Sequence, residues 1–145
     1  MLSQTRPISE LPSDIDRLAG AAREEGHDLV SRLVEEWHDG SNRFDRPGEM
    51  LAEVRCDGVL CAVGGLNVDP YLDDPTVGRI RHVFVHPSQR RLGVGRALVG
   101  FLVDHARSSF RRVRLRSARE PGPPFYAALG FMPTDEADAT HALDL

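Results

Sequence analysis

The sequence predicts a mixed α+β fold around one central sheet, and three observations carry that prediction. Residues 50–55 and 59–68 read as two strands joined across Asp57-Gly58, a dipeptide that favours a tight hairpin turn. Residues 79–86 read as a further strand that passes through a short basic turn into a helical pattern over residues 92–107. Two amphipathic stretches precede the hairpin, so helices and strands interleave. At 145 residues the chain fits one domain, residues 1–145, with one core. A domain of this size buries roughly 70% of its unfolded surface and needs no covalent staples.

In chain order, residues 5–11 fit a first short strand. Pro12-Ser13-Asp14 then opens a helix with Ser13 or Asp14 as its cap, and Ile15, Leu18, Ala19 and Ala22 give it an apolar face as far as Glu25. Gly26 interrupts the pattern. Residues 28–37 form a second helix with Leu29, Val30, Leu33, Val34 and Trp37 on one side. Residues 40–48 are rich in Gly, Ser, Asn, Asp and Pro and read as a loop. Gly64-Gly65, inside the second hairpin strand, marks a bulge or the close approach of a ligand backbone. Residues 69–78 are an acidic loop with two prolines. Residues 111–117 alternate arginine with apolar side chains, as a half-buried strand does. A short helix over 125–129 and a closing strand over 140–145 complete the order.

Net charge is −4 but unevenly placed: residues 79–119 hold eleven arginines and one acid, Asp104, and the remainder is strongly acidic. The basic segment would draw a polyanion and the acidic remainder a cationic partner. All 18 basic residues are arginine, the codon signature of a GC-rich bacterial genome. No run approaches the ~20 apolar residues of a membrane span. No apolar signal core follows Arg6-Pro7. A cytoplasmic protein without a membrane partner is therefore expected. Cys56 and Cys61 flank the hairpin turn. Regular pairing would set Cys56 against Val59 and Cys61 against Val54, leaving the two thiols diagonal and roughly 7 Å apart or more. Two reduced thiols packed as small apolar groups are the expectation.

The stretch that carries function is Val83-Phe84-Val85-His86-Pro87-Ser88-Gln89-Arg90-Arg91-Leu92-Gly93-Val94-Gly95-Arg96-Ala97-Leu98. A strand stops at a proline, a basic turn with two glycines follows, and a helix begins at once. Glycines there let backbone N–H groups face a ligand, and the new helix aims its unpaired N–H groups and positive dipole end at the same spot. That is a phosphate cradle. The Gly-Lys-Ser/Thr of a P-loop is absent, and so is the third glycine of a dinucleotide fingerprint.

Arg90-Arg91-Leu92-Gly93-Val94-Gly95 resembles the Arg/Gln-x-x-Gly-x-Gly/Ala pyrophosphate loop of the GNAT superfamily of N-acetyltransferases. Val85-x-Pro87 resembles the end of the family's fourth strand, and Phe125-Tyr126-Ala127-Ala128-Leu129-Gly130-Phe131 resembles its second signature, Phe-Tyr-x-x-Leu-Gly-Phe. The resemblance covers residues 78–133 and implies a twisted, splayed sheet of about six to seven strands flanked by about four helices. It implies an enzyme that uses acetyl-CoA as co-substrate, without a metal, and moves the acetyl group to a primary amine by direct attack in a ternary complex. On that resemblance the N–H groups of Arg91, Gly93, Val94, Gly95 and Arg96 hold the pyrophosphate, with Arg90 in the same basic cluster. Phe84 and Val85 bond the pantetheine arm as an added strand, and the Val85 N–H faces the thioester oxygen. Tyr126 is the general acid for the leaving thiolate, a transfer uphill by about 2 kcal/mol for unperturbed groups. The first helices and their loops build the acceptor pocket, with Trp37, Asn42, Arg43, Phe44, Asp45 and Tyr71 as candidates. Phe44 fits a buried loop anchor equally well.

The general base stays open. Many relatives carry a carboxylate on the fourth strand, where this chain has Arg79 and Arg81. His82 and His86 titrate in the right range, but strand alternation puts them on the face opposite Val83 and Val85. Glu49, Glu53 and Asp69 are more remote, and a water chain could serve. Relatives often carry an asparagine seven residues before the tyrosine; this chain has Arg119. The missing carboxylate motivates a rival reading, a non-catalytic acyl-CoA-binding module. A nucleic-acid partner held by Arg111, Arg112, Arg114 and Arg116 is not expected, because aromatic platforms are lacking. A small-molecule amine is the expected acceptor, with a protein lysine or N-terminus as the alternative, and a homodimer is what many relatives form.

Overall fold

The computed structural model describes residues 1–117 and 122–145. The strands β1 (Ser3–Ile8), β2 (Met50–Cys56), β3 (Val59–Val68) and β4 (Val77–Val85) pair antiparallel in sequence order. On the far side of β4, β5 (Arg112–Leu115) pairs parallel with it. β7 (His141–Asp144) pairs antiparallel with β5 and carries the two-residue β6 (Met132–Pro133) on its outer edge, for a sheet order β1-β2-β3-β4-β5-β7-β6. The helices are α1 (Asp16–Glu24), α2 (Leu29–Asp39), α3 (Val94–Ala106) and α4 (Pro123–Ala128). This is the mixed α+β architecture the sequence predicts, with β6 as the one strand that the pattern did not show.

The sheet has an apolar cluster on each face. On one, Val94, Leu98, Val99, Leu102, Val103 and Ala106 of α3 pack with Tyr126 and Phe131 on Ala52, Val54, Val83 and Val85. On the other, α1 and α2 place Leu18, Ala22, Val30 and Leu33 on Leu51, Leu60, Val63 and Phe84. Each fully buried leucine contributes about 1.5–3 kcal/mol. α1 begins without a side-chain cap. Asp14, an expected cap, instead receives both Nη groups of Arg55 at 2.9 Å.

Two β-bulges depart from the regular hairpin. Asp57 and Gly58 both have positive φ, 51° and 83°, as a two-residue turn that matches strand twist requires. Arg55 then faces Leu60, but Val54 faces Ala62, so Cys61 is an extra residue with no partner across β2. The bulge draws Cys61 towards Cys56, and the two form a disulfide with Cα atoms 6.1 Å apart. The expected pair of diagonal, reduced thiols is thus corrected; regular register failed at the bulge. The second bulge sits where Val63 faces Phe84 and Gly65 faces Arg81, so that His82 and Val83 oppose Gly64 alone. His82 has φ 59° there, and it and Arg81 both turn towards α2. The close approach at Gly65 is made by the protein itself: a Cβ there would stand 2.2 Å from Cε1 of Phe44.

β4 and β5 share only the rungs Val77–Arg112, Gly78–Val113 and Arg79–Arg114. Beyond Arg79 the two strands part. The last shared rung is a buried ionic cluster. Asp69 Oδ2 lies 2.8 Å from Arg114 Nε and 3.5 Å from Arg79 Nη1. Arg114 is therefore not a solvated surface arginine; its side chain is 1% exposed. Among the described residues, no helix is long and apolar enough to cross a membrane.

Asp69→Asn should destabilise the fold by about 3–5 kcal/mol, because it leaves the buried Arg79 without its counter-charge and Arg114 with only the more exposed Glu136. Urea unfolding of the variant beside the parent protein measures that loss.

Candidate active site

The chain leaves β4 at Val85 and makes one tight helical turn, Pro87–Gln89, capped by His86. The His86 Nδ1 stands 3.1 Å from the Ser88 N–H and 2.7 Å from its hydroxyl, so this ring serves the turn. Arg91 and Gly93 follow with left-handed backbones, φ 64° and 81°. Left-handed residues so spaced turn neighbouring N–H groups towards one side, an anion-binding concavity. Arg91, a non-glycine residue, carries strain of roughly 1–2 kcal/mol there. The helical ladder of α3 opens with the Ala97 N–H donating to the Gly93 carbonyl at 3.1 Å. The N–H groups of Val94, Gly95 and Arg96 therefore lie ahead of it, at the positive end.

Over this end lies a cavity of about 480 Å³ lined by Val85, Arg90, Arg91, Gly93, Val94, Gly95, Arg96 and Phe125. A Cβ on Gly95 would touch Val85 and Phe125 at 3.4 Å, so glycine keeps the groove open. All the expected cofactor-binding residues line it except Phe84. The His86 N–H donates to the Cys61 carbonyl at 2.8 Å, so alternation turns the Val85 N–H away from β3, into the space where β4 and β5 part. The same alternation turns the polar backbone groups of Phe84 towards β3. Its ring is buried against α1 and α2 under the Arg90 guanidinium, which lies 5.5 Å from the ring centroid. Arg90 is held internally. Its Nε donates to the Val85 carbonyl at 3.1 Å, and its Nη groups grip Glu25 at 2.6 and 2.7 Å.

The parting of β4 and β5 forms a second cavity, of about 370 Å³. Ile80, Arg81, His82 and Val83 line one wall, Leu115, Arg116, Ser117 and Tyr126 the other, and residues 26–29 with Arg32 roof it. Tyr126 is buried, with the rings of Phe125 and Phe131 edge-on at 5.0 and 5.7 Å. Burial pushes its phenol above the usual value, so it holds its proton. His82 lines the β4 wall of the same cavity. Its Nδ1 is 2.9 Å from the Leu29 carbonyl, and burial, then Arg81, pulls its pKa down to about 4.

A third cavity, of about 440 Å³, adjoins the second through Arg81 and includes Glu36, Asn42, Arg43, Asp45, Glu49, Asn67 and Tyr71. The amides of Asn42 and Asn67 bond reciprocally at 2.9 Å, which locks the loop onto β3. Tyr71 is 54% exposed. The Arg79 guanidinium lies 4.6 Å from its ring centroid. Phe44 and Trp37 do not reach this cavity. Phe44 is a core anchor on Gly65, and Trp37 packs half-buried on the same cluster. Of the remote base candidates, Glu49 accepts from the Val68 and Arg46 N–H groups, Glu53 from Arg6 and Arg55, and Asp69 from Arg114. Glu36 of α2 was missed by the sequence reading. Its only signal is its place three residues after Leu33, at the edge of the apolar stripe. Arg119 lies outside the described residues. Among the described residues, no group of three or more His, Cys, Asp or Glu could hold a metal ion.

A family model described as acetyltransferase (GNAT) family matches residues 13–131. A protein of Exiguobacterium sp. 255-15, provisionally named an acetyltransferase, is 28% identical and superposes with a TM-score of 0.87 over 99% of this chain and 94% of its own. A Salmonella typhimurium protein, also provisionally named an acetyltransferase and solved with its cofactor acetyl-CoA, is 17% identical, with a TM-score of 0.68 over 99% of this chain and 94% of its own. The glucosamine-6-phosphate N-acetyltransferase of Arabidopsis thaliana is 18% identical, with a TM-score of 0.64 over 97% of each chain. The last two share the fold. An uncharacterised protein of Mycobacterium leprae is 26% identical over a 130-residue alignment that covers 83% of this chain and 32% of that protein's length.

The hydrogen bonds from Arg90 hold the Glu25 carboxyl below its usual value of 4.5. A depressed folded-state value means that the ion pair stabilises the fold fully above that usual value and fades as the pH falls through the lowered one. The stability difference between the parent protein and Glu25→Gln should therefore be greatest near neutral pH and shrink progressively below pH ~4.5. Urea midpoints of both proteins along a pH series give the comparison.

Proposed function

Because the chain belongs to the acetyltransferase (GNAT) family, we propose that it moves an acetyl group from acetyl-CoA to a primary amine by direct attack in a ternary complex. The observation that carries this reading is the alignment of three features along one free strand edge: the anion-binding loop, the outward Val85 N–H and the buried Tyr126. We read residues 1–145 as a single acetyltransferase domain.

The N–H groups of Arg91, Gly93, Val94, Gly95 and Arg96 would hold the pyrophosphate of CoA, and the Arg91 and Arg96 side chains would add positive charge. Arg90, clamped to Glu25 and to the Val85 carbonyl, positions the loop. Val85 alone of the Phe84-Val85 pair turns its N–H to the gap, where it can bond the thioester oxygen and stabilise the charge that develops on it. This supports Val85 and leaves Phe84 as packing.

Tyr126 would give its proton to the leaving sulfur. Its raised pKa widens the gap of about 2 kcal/mol between an unperturbed phenol and thiol. A thiolate expelled beside the buried ring would also be destabilised by desolvation, which raises the thiol's pKa in parallel. The two groups stay matched, so a buried tyrosine can serve. Asn42 and Tyr71, with Arg43 and Asp45, border the adjoining cavity where a small-molecule acceptor would enter.

Calorimetric titration with acetyl-CoA should show selective micromolar binding, with NADH and ATP inert. Gly95→Asp, which puts a carboxylate into the groove, should abolish that binding and leave the fold intact. Thiol release assayed over a panel of primary amines should fall by about 10²–10⁴-fold in kcat for Tyr126→Phe, the usual contribution of a positioned acid, with the acetyl-CoA affinity retained. Unchanged turnover in that variant would remove Tyr126 from the mechanism.

A further inference from the structure

We propose that Glu36 and His82 form the site that receives the acceptor's amino group, binding it as a primary ammonium and passing one of its protons out to solvent. The proposal rests on the transferase reading and names the acceptor-side residues of that reaction.

The geometry begins with the His82 ring. A carbonyl oxygen can only accept, so the 2.9 Å contact with the Leu29 carbonyl assigns the ring proton to Nδ1. The lone pair is then on Nε2. The side chain is 6% exposed, and Nε2 is buried without a hydrogen-bond partner. A buried acceptor left unpaired costs free energy, and in a native protein it calls for a ligand or a function. What faces Nε2 is another acceptor: Oε2 of Glu36, 3.9 Å away. A lone pair and a carboxylate oxygen at that separation need a donor between them that has at least two protons to give. A hydroxyl group has one; a water has two but brings no charge to match the carboxylate. A primary ammonium has three, and its charge complements the carboxylate.

The carboxylate is set up for this. Its other oxygen, Oε1, lies 3.9 Å from Arg81 Nη2, which leaves Oε2 turned to His82. Arg81 in turn donates to Asn67 Oδ1 at 3.3 Å, so it is tied to the locked loop of the adjoining cavity. The backbone strain is in the same place. His82 holds φ 59°, and the bulge it creates is what puts Arg81 and His82 side by side facing α2. The other titratable or charged groups around the ring are Asp28 just ahead of α2, Arg32 of α2, Arg81 of β4, and His27 and Arg116, which line the same cavity. Because burial and Arg81 hold the ring neutral, Nε2 stays available as an acceptor across the physiological range.

The proton count closes. The acceptor arrives as R–NH3+, donating to Nε2 of His82 and Oε2 of Glu36. One proton passes to Glu36, which at 27% exposure can return it to water. The free amine attacks the thioester carbon; the C–N bond forms and the C–S bond breaks. The nitrogen sheds its second proton, and Tyr126 supplies one to sulfur and is restored by it. The sum is R–NH3+ and acetyl-CoA to R–NH–acetyl, CoA–SH and one proton in solvent.

The test is nitrogen NMR on ¹⁵N-histidine-labelled protein saturated with CoA, titrated with n-butylamine, putrescine, glucosamine and alanine, and with tetramethylammonium as a control lacking N–H. At least one primary amine should move the His82 Nε2 resonance towards the protonated range, and tetramethylammonium should not. Glu36→Gln should weaken that amine's apparent affinity about tenfold or more, the scale of a lost hydrogen bond to a charged group. The proposal is overturned if no primary amine moves Nε2, if the control moves it equally, or if Glu36→Gln leaves the affinity unchanged. CoA-induced shifts of the Gly93 and Gly95 amides are read in the same samples. Their absence would sink the transferase reading and is a different failure from a silent His82.

Discussion

The carboxylate of Asp69 between Arg79 and Arg114 is the interaction on which the rest of the structure depends. The two arginines face each other on the last rung that β4 and β5 share. Two guanidinium groups buried side by side would repel. Asp69 cancels that repulsion, while the carbonyls of Asp138 and Ala137 and the carboxylate of Glu136 take further donors. The rung can therefore be buried, and the pairing stops there. β4 runs on to Val85 with one edge unpaired, and that edge is the wall along which the loop, the Val85 N–H and the gap are arranged.

The uneven charge of the chain acquires its meaning in the same way. Most arginines of the basic segment meet acids from elsewhere: Arg111 meets Asp74, Arg112 meets Glu136 and Asp144, and Arg90 meets Glu25. Among the described residues, Arg91 and Arg96 have no carboxylate partner, and both line the cavity over the start of α3. The positive field at the loop is thus narrower than composition suggests, and it coincides with the backbone N–H groups. On the proposed reading, electrostatic attraction and hydrogen bonding would then act together on one ligand group, the pyrophosphate.

The two β-bulges lie where β3 pairs with β2 and with β4. The bulge at Cys61 brings two cysteines together, and the bulge at His82 turns two polar side chains to one face. The second has the functional consequence. An unbroken β4 would have sent Arg81 to the opposite side from His82, and Glu36 would have faced one of them alone. A left-handed residue that is neither glycine nor asparagine is costly enough to be kept only where packing over-determines it, and the Phe44 ring seated on Gly65 and beside His82 supplies that packing.

By itself the sequence determined the order of every element but β6, the hairpin at Asp57-Gly58, the apolar stripes of the helices and the loop from Arg90 to Arg96. Each of these is a local property, set by turn chemistry and periodicity within a few residues. The second signature was equally legible, because Tyr126 lies in a short run. Only the tertiary structure decided the rest. The disulfide and the face of Arg81 depend on bulges, which shift register without leaving a mark in the hydrophobic pattern. Phe44 became an anchor rather than a pocket wall because Gly65, twenty-one residues on, leaves room for its ring. Glu36 and His82 are forty-six residues apart in sequence, and nothing local to either announces the other. They meet because α2 packs across the bulged end of β4, and a contact of that kind is fixed by packing.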